Sequence, residues 1–155
     1  MRRLLVAFAL SVLAIAPAHA TASLSCSFGD ANLALEVEGT ISRGVGEGVM
    51  NFGGTLEIKA QAAAIPENLR KTEFDLSHLT QRWLYGTEVK LRLYRERGEN
   101  EPHGYVELII ETKRAPRAES SYRGSYLLII YDVPVAQGAE AKTVTLRGRA
   151  ACSVE

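Results

Sequence analysis

Hydrophobic and polar residues alternate with a period of two over most of this chain. In one stretch, Leu33, Leu35 and Val37 alternate with Glu36 and Glu38. Successive side chains of a strand point to opposite faces, so this period predicts strands with one face on a core and the other in water. The chain is therefore predicted to be an all-β protein.

Seven segments carry this alternation, and glycine-, proline- or acid-rich turns separate most of them. The predicted strands are 23–28, 32–42, 48–60, 87–97, 103–113, 122–132 and 143–153, and a weaker eighth covers 71–76. Each turn joins its neighbours most simply as a hairpin, which predicts a single antiparallel meander of seven or eight strands. The period fits a barrel and a sandwich equally well, and the meander order favours a barrel-like closure.

One segment is apolar without interruption. Residues 126–131 read Tyr-Leu-Leu-Ile-Ile-Tyr, with no polar position between them. A run of this kind is typical of a strand that is covered on both faces or lies in the centre of a sheet.

Residues 61–86 interrupt the alternation. Apolar residues up to Trp83 recur there with helical spacing, and Asp75 or Ser77 can serve as the helix N-cap. We predict one short helix or turn of helix within 75–84, which plugs a barrel end or covers an open sandwich edge.

The two cysteines lie in the first and last predicted strands. Cys26 shares its phase with the apolar Leu24 and Phe28, and Cys152 shares its phase with Leu146. Both sulfurs therefore point inward. In an oxidising compartment, a disulfide between them would close nearly the whole domain.

Residues 1–20 have the pattern of a secretory signal peptide. Arg2 and Arg3 precede an apolar run over 4–15, and small residues at the −3 and −1 positions predict cleavage after Ala20. The run has about twelve residues, fewer than the roughly 20 that a membrane span requires. We therefore predict a single β domain over 21–155, in the periplasm or outside the cell, without a stable membrane anchor.

Charge argues against a nucleic-acid partner. The chain has 18 basic and 18 acidic residues, and removal of the signal peptide takes away only two arginines. The mature domain then carries a net charge of −2. Nucleic-acid binding needs a concentrated basic face, which this balance does not favour.

Histidines and neighbouring acids form two weak candidates for metal ligation. His78 follows Asp75 by three residues, and His103 follows Glu99 and Glu101 in a predicted turn. Neither set reaches three ligands without help from elsewhere. We interpret these side chains as solvated and predict no metal and no cofactor.

The sequence offers no recognisable catalytic motif. Glu57, Glu107 and Glu111 are the carboxylates that could form an acid–base pair, but the alternation directs them outward on strands. Outward Lys90 and Arg92 face Glu107 and Glu111 across a predicted hairpin, which is typical of salt pairing that fixes the register. We therefore predict no catalytic residues.

Four aromatic residues form the candidate partner or ligand surface. Trp83 and Tyr85 flank a predicted corner, where core packing of Trp83 is the favoured interpretation and a partner surface is the alternative. Tyr94 and Tyr105 lie opposite in phase to the apolar sets of their strands, as does Tyr131. The tyrosines are predicted to form an exposed stripe, which is either an interaction surface or ordinary cross-strand pairing.

Three hypotheses about function follow. The first is an exported, non-catalytic module that binds a protein, a glycan or another cell-envelope component. The second is a small barrel that holds a lipid or other apolar ligand, although bulky predicted inward residues such as Met50 and Phe52 favour a filled core. The third is an enzyme inhibitor or small enzyme that uses a loop, either 98–102 or 115–121.

Overall fold

The computed structural model describes residues 21–42, 48–60, 65–134 and 139–155. The predicted signal peptide lies outside these residues. Nine strands form one antiparallel sheet: β1 (Thr21–Gly29), β2 (Leu33–Ser42), β3 (Val49–Ile58), β4 (Lys71–Asp75), β5 (Leu79–Tyr85), β6 (Glu88–Glu96), β7 (Gly104–Arg114), β8 (Ser121–Asp132) and β9 (Lys142–Val154). A four-residue helix, α1 (Glu67–Arg70), precedes β4, and one 3₁₀ turn (Leu76–His78) separates β4 from β5.

The sheet curls into a nearly closed barrel. Strands that follow each other along the chain are hydrogen-bonded neighbours, with the exception of β4 and β5. The first strand, β1, also pairs with the last strand, β9, so the meander returns to its start. The predicted all-β class and antiparallel meander are confirmed, with nine strands where seven or eight are predicted. The additional strand is β5.

The Cys26–Cys152 disulfide is confirmed, and it lies where the barrel closes. The two residues are directly opposite each other in the β1–β9 pairing, and both are buried. This seam is only three residue pairs long, whereas β7 and β8 form eleven. The covalent bond therefore reinforces the shortest seam between paired strands. It also indicates that the protein folds in an oxidising compartment.

The barrel interior is filled by bulky aliphatic and aromatic side chains. The largest fully buried side chains are Leu24, Leu33, Leu35, Val37, Leu56, Leu91, Leu93, Leu108, Ile110, Tyr126, Leu128 and Ile130. The expectation of a filled core holds for these positions. The prediction that Met50 points inward is wrong, because a register shift opposite Gly39 and a positive φ at Asn51 turn Val49 inward and leave Met50 exposed.

Within 75–84, the predicted turn of helix with Asp75 as its N-cap is confirmed, but a longer helix does not form. Only Leu76–His78 is helical, as a single 3₁₀ turn, and 79–85 form β5. Pairing with β6 satisfies the backbone of this segment and overrides its weak local helical spacing. The short helix is α1 instead. It contacts β3, β4 and β7 and covers one end of the barrel, where Leu69 is buried.

At the covered end, β1 and β9 diverge beyond the disulfide, and Tyr126 fills the space between them. Its ring stacks on Phe28, with centroids 5.6 Å apart. A Cβ atom on the opposing residue, Gly148, would lie 2.7 Å from the ring carbon Cζ, so this close approach requires glycine. The Tyr126 hydroxyl donates to Asp30 Oδ2 at 2.8 Å and accepts from Asn32 Nδ2 at 3.3 Å.

These contacts change the ionisation of both partners. Burial raises the pKa of the Tyr126 phenol to about 12, and its bond to the Asp30 carboxylate adds to this rise. Burial alone would raise the pKa of Asp30, but the hydrogen bonds from Tyr126, Asn32 and Leu33 outweigh it, so the pKa lies below its usual value. The pair therefore stabilises the fold with Asp30 charged and Tyr126 neutral.

Replacing Tyr126 by phenylalanine is expected to lower the free energy of unfolding by about 1–2 kcal/mol at pH 7, because Asp30 loses a charged hydrogen bond. The lowered pKa of Asp30 means that this contribution is present above pH 3.8 and is lost as the pH falls through the folded-state value. At the alkaline end it is lost as the pH rises from 10 towards 12. Urea unfolding of both proteins between pH 7 and pH 2 measures the difference. A difference that keeps its size at pH 2 would contradict this assignment.

Candidate functional site

The free edge of β5 and the first residues of β3, beyond the pairing of β3 with β4, border one opening in the barrel wall. β5 pairs with β6 on one side, and no described residue pairs with the backbone of its other side. β3 pairs with β4 only from Gly53 onward, so residues 49–52 have no strand partner on that side among the described residues. The 3₁₀ turn contacts both β3 and β6. We call this opening, bordered by 49–52, Leu76–His78 and Leu79–Tyr85, the β3–β5 gap.

Large exposed hydrophobic side chains concentrate at this gap. Among the described residues, the large hydrophobics classed as exposed are Met50 (42%), Leu76 (45%), Trp83 (54%) and Tyr85 (73%). Each lies on one of the three segments that border the gap. The Trp83 and Tyr85 rings also pack edge to face, with centroids 5.9 Å apart. Clustered apolar exposure at an unpaired edge is typical of a binding surface.

A groove of about 1320 Å³ passes around β5 and makes both of its faces accessible. Inward-facing Ala22, Ile41 and Val89 line one part, at the open mouth of the barrel. Outward-facing Trp83 and Lys90 line another part, on the outer wall. The free edge of β5 therefore lies between an apolar inner surface and an aromatic outer surface.

One cation in the groove has no charged partner within the described part of the chain. Arg82 lies opposite Leu91 in the β5–β6 register, so its side chain is on the inward side at the mouth. It is exposed, and no ion pair or side-chain hydrogen bond with another described residue involves it. Glu88, by contrast, is paired with both Lys90 and Lys113, and their hydrogen bonds lower its pKa.

The predicted salt pairing of β6 with β7 is partly wrong. Arg92 pairs with Glu107, as predicted. Lys90 Nζ lies 3.1 Å from Glu88 Oε2 on its own strand instead of pairing with Glu111, and the cross-strand ion pair of Glu88 is with Lys113 of β7, at 3.3 Å. Glu107 does point outward, but it is only 7% exposed and is not a freely solvated carboxylate.

The structure separates the four predicted surface aromatics into two groups. Trp83 and Tyr85 lie at the β3–β5 gap. Tyr94 and Tyr105 lie on the outer wall of β6 and β7, half-buried, with ring centroids 5.3 Å apart. Burial raises the pKa of Tyr94 to about 12, and its hydrogen bond to Glu96 contributes to this rise. The predicted core packing of Trp83 is not observed.

His78 and Asp75 cap the 3₁₀ turn. Asp75 Oδ1 accepts from the Ser77 backbone N–H at 2.8 Å, and His78 Nδ1 accepts from the Asp75 backbone N–H. The Ser77 hydroxyl also donates to Asp75 Oδ1, and these contacts lower the pKa of that carboxyl. Ser77 is hydrogen-bonded to the acid and not to the histidine, so this trio lacks the order of a nucleophile–base pair.

His103 joins the outer aromatic group. Its ring centroid lies 5.5 Å from that of Tyr131 and 6.0 Å from that of Tyr105. Glu101, the acid predicted beside it, is ion-paired with Arg97 instead. Across the described ranges, no three His, Cys, Asp or Glu side chains are grouped closely enough to hold a metal ion.

Sequence reasoning missed Met50, Leu76 and Arg82 as surface residues because it missed β5 and the register shift in β3. The available signal was the short run ending at Tyr85, followed by Gly86 and Thr87. A two-residue turn containing glycine is typical of a hairpin, and Gly86 has φ 60°.

Searches against protein-family models, curated proteins and solved structures found no match to this chain.

Proposed function

We propose that this protein is an exported, non-catalytic binding module that captures an extended segment of a partner protein along the free edge of β5. The observation that carries the proposal is the coincidence of an unpaired strand edge with the exposed hydrophobic side chains at the β3–β5 gap. An incoming strand can hydrogen-bond to such an edge through its backbone.

The groove supports this mode of binding because it reaches both faces of β5. Alternate side chains of an added strand point in opposite directions. One set would enter the apolar mouth near Ile41 and Val89, and the other would pack against Trp83 and Tyr85. An apolar residue at every second position of the bound segment is therefore favoured.

Arg82 adds a preference in charge. Its guanidinium is on the inward side of the edge and has no ionic partner among the described residues. A carboxylate on the incoming strand would supply an ionic partner, because a guanidinium can bind a carboxylate through two parallel N–H···O hydrogen bonds. The proposed ligand is an extended segment of about five to seven residues, matched to the length of a typical strand, with alternating apolar side chains and at least one Asp or Glu.

Export is part of the proposal. Residues 1–20 have the composition of a signal peptide, and the disulfide fits the periplasm or the cell exterior. In the described part of the chain, no helix is long and apolar enough to cross a membrane. A partner protein of the cell envelope or of the exterior is therefore favoured.

The test is selection of displayed random peptides on the disulfide-bonded protein, followed by fluorescence anisotropy with the enriched peptides. Replacing Trp83 and Tyr85 together by alanine is expected to weaken binding at least about tenfold, since interface aromatics contribute 1–2 kcal/mol or more each. Arg82→Glu is expected to weaken the binding of acidic peptides by a similar factor. Lys71→Glu, an equal charge change at an exposed position of β4 outside the groove, is the matched control. Full affinity in the Trp83/Tyr85 variant would contradict the proposal.

A second candidate function uses the inner part of the same groove. The mouth is lined by apolar Ala22, Ile41, Val89 and Tyr122, which fits the end of an acyl chain or another apolar ligand. The tightly filled interior beyond Leu93 and the other buried side chains limits how deep such a ligand can reach. Solvent extraction and mass spectrometry of the natively purified protein distinguish the two functions, because only the apolar-ligand function predicts a stoichiometric apolar compound.

A further inference from the structure

The outer wall of β6, β7 and β8 carries a second apolar surface, away from the β3–β5 gap. The strand register places its members side by side on the outward face: Tyr105 opposite Tyr131, Ile109 opposite Leu127, and Ile129 opposite Glu107. We call the set Tyr94, Tyr105, Ile109, Leu127, Ile129 and Tyr131 the outer patch. All six are half-buried, and no described element packs over them.

This surface explains the uninterrupted apolar run of β8. The inward residues Tyr126, Leu128 and Ile130 fill the barrel, as in any strand of this sheet. The outward residues Leu127 and Ile129 have no such role in the described structure. An apolar residue on both faces is typical of a strand that is covered on both sides. No described element of this barrel covers the outward face of β8, which leaves its apolar residues accessible to a partner.

The outer patch is ordered before any partner arrives. The Tyr105 and Tyr131 rings are stacked, 5.3 Å apart and 18° from parallel. The Tyr94 hydroxyl donates to Glu96 at 2.6 Å. Glu107, which is 7% exposed at the edge of the patch, is neutralised by Arg92. Binding therefore costs little side-chain entropy and leaves no unpaired buried charge.

A cationic flank borders the outer patch on one side. Arg147 lies opposite Leu127, Arg149 lies opposite Ser125, and Arg123 lies opposite Ala151. These three arginines are exposed, and none has an ion pair with another described residue. No acidic residue faces them from β8 or β9, so the flank complements a negatively charged partner.

We infer that the outer patch is a docking surface for an acidic amphipathic helix of a partner protein. The three strands β7, β8 and β9 span about 10 Å, which matches the diameter of one helix. Apolar residues of the helix would cover Ile109, Leu127 and Ile129, and its Asp or Glu residues would pair with Arg147 and Arg149. The outer patch adjoins the groove around β5 at Ile109 but does not use the backbone edge of β5, so this partner is distinct from the captured strand.

The experiment selects from a displayed library of helical peptides with randomised positions, using the Trp83→Ala/Tyr85→Ala variant so that the β5 edge does not contribute. Enriched peptides are expected to be amphipathic and rich in Asp and Glu. Their affinity is expected to fall at least about tenfold in an Arg147→Glu/Arg149→Glu variant. A Lys71→Glu/Arg117→Glu variant, with the same change in net charge at sites outside the patch, is expected to bind as before.

Both arginines are exposed, so their reversal is expected to leave the thermal unfolding midpoint unchanged, which separates lost binding from lost folding. Three results would overturn the inference. They are an absence of enriched helical peptides, enriched peptides without an acidic excess, and full affinity in the Arg147/Arg149 variant. Sedimentation of the wild type with anionic phosphatidylglycerol vesicles, and loss of this sedimentation in the Arg147/Arg149 variant, would assign the flank to a lipid surface. That result would also overturn the inference.

Discussion

Replacing Cys26 and Cys152 by alanine is expected to lower the free energy of unfolding by about 3–5 kcal/mol. The bond closes a loop across a sequence separation of 126 residues, for which the chain-entropy model gives about 5 kcal/mol, and measured bridges more often give 2–4. A second cause acts in the folded state. The β1–β9 seam has only three residue pairs, so without the bond the barrel wall is held there by few hydrogen bonds.

Equilibrium urea unfolding of the oxidised protein and of the double alanine variant measures this effect. Alanine is the suitable replacement because both positions are buried and a serine hydroxyl would lack a partner. Amide exchange is expected to rise first in β1 and β9, next to the opened seam. Equal unfolding midpoints would contradict a stabilising role for the bond.

Gly54→Ala is expected to lower the free energy of unfolding by about 2–5 kcal/mol. Gly54 has a φ of 154°, a backbone conformation that residues other than glycine rarely adopt. A Cβ atom there would collide with the Glu36 carbonyl oxygen and would lie 2.6 Å from Val37 Cα. Since both neighbours are backbone atoms of β2, the strands would have to separate.

The adjacent glycine provides a matched control. A Cβ atom on Gly53 would meet only the Phe74 carbonyl oxygen, at the ordinary contact distance of 3.5 Å. Gly53→Ala is therefore expected to change stability by less than about 1 kcal/mol. Thermal unfolding of the two variants side by side tests the prediction, and similar midpoints for both would show that the close approach at Gly54 is not tight.

The outcome for each sequence prediction depends on how local its physical cause is. The phase of Cys26 and Cys152 within their strands is a local property, and one topological step, the meander closing on itself, brings them together. The disulfide could therefore be predicted. The register of β3 could not, because the turn at Asn51 depends on packing against β2, and Met50 changes face as a result.

β5 was missed for a related reason. Thr80, Gln81 and Arg82 are three polar residues in succession, and a register shift near Leu79 breaks the alternation that would mark a strand. A strand with an exposed edge and an exposed outer face also has little need of alternating apolar residues. The exposed edge and outer face, which remove the alternating pattern from this strand, also make the strand a candidate binding edge.

The division of the four aromatic residues between two parts of the surface could not be predicted without the strand register. Trp83 lies opposite Lys90, whereas Tyr94 lies four residues further along β6. The sequence could not show that Arg82 is on the inward side or that Arg147 and Arg149 adjoin Leu127. These relations arise only when strands far apart in the chain are paired.

Amide hydrogen exchange of β5, with and without a selected extended peptide, tests the central claim most directly. Capture of a peptide at the free edge of β5 is expected to slow exchange of the amides within 80–85 that face the β3–β5 gap. The amides that already pair with β6 are expected to change little. Protection confined to other strands, with these β5 amides still exchanging rapidly at saturating peptide, would contradict capture at the free edge.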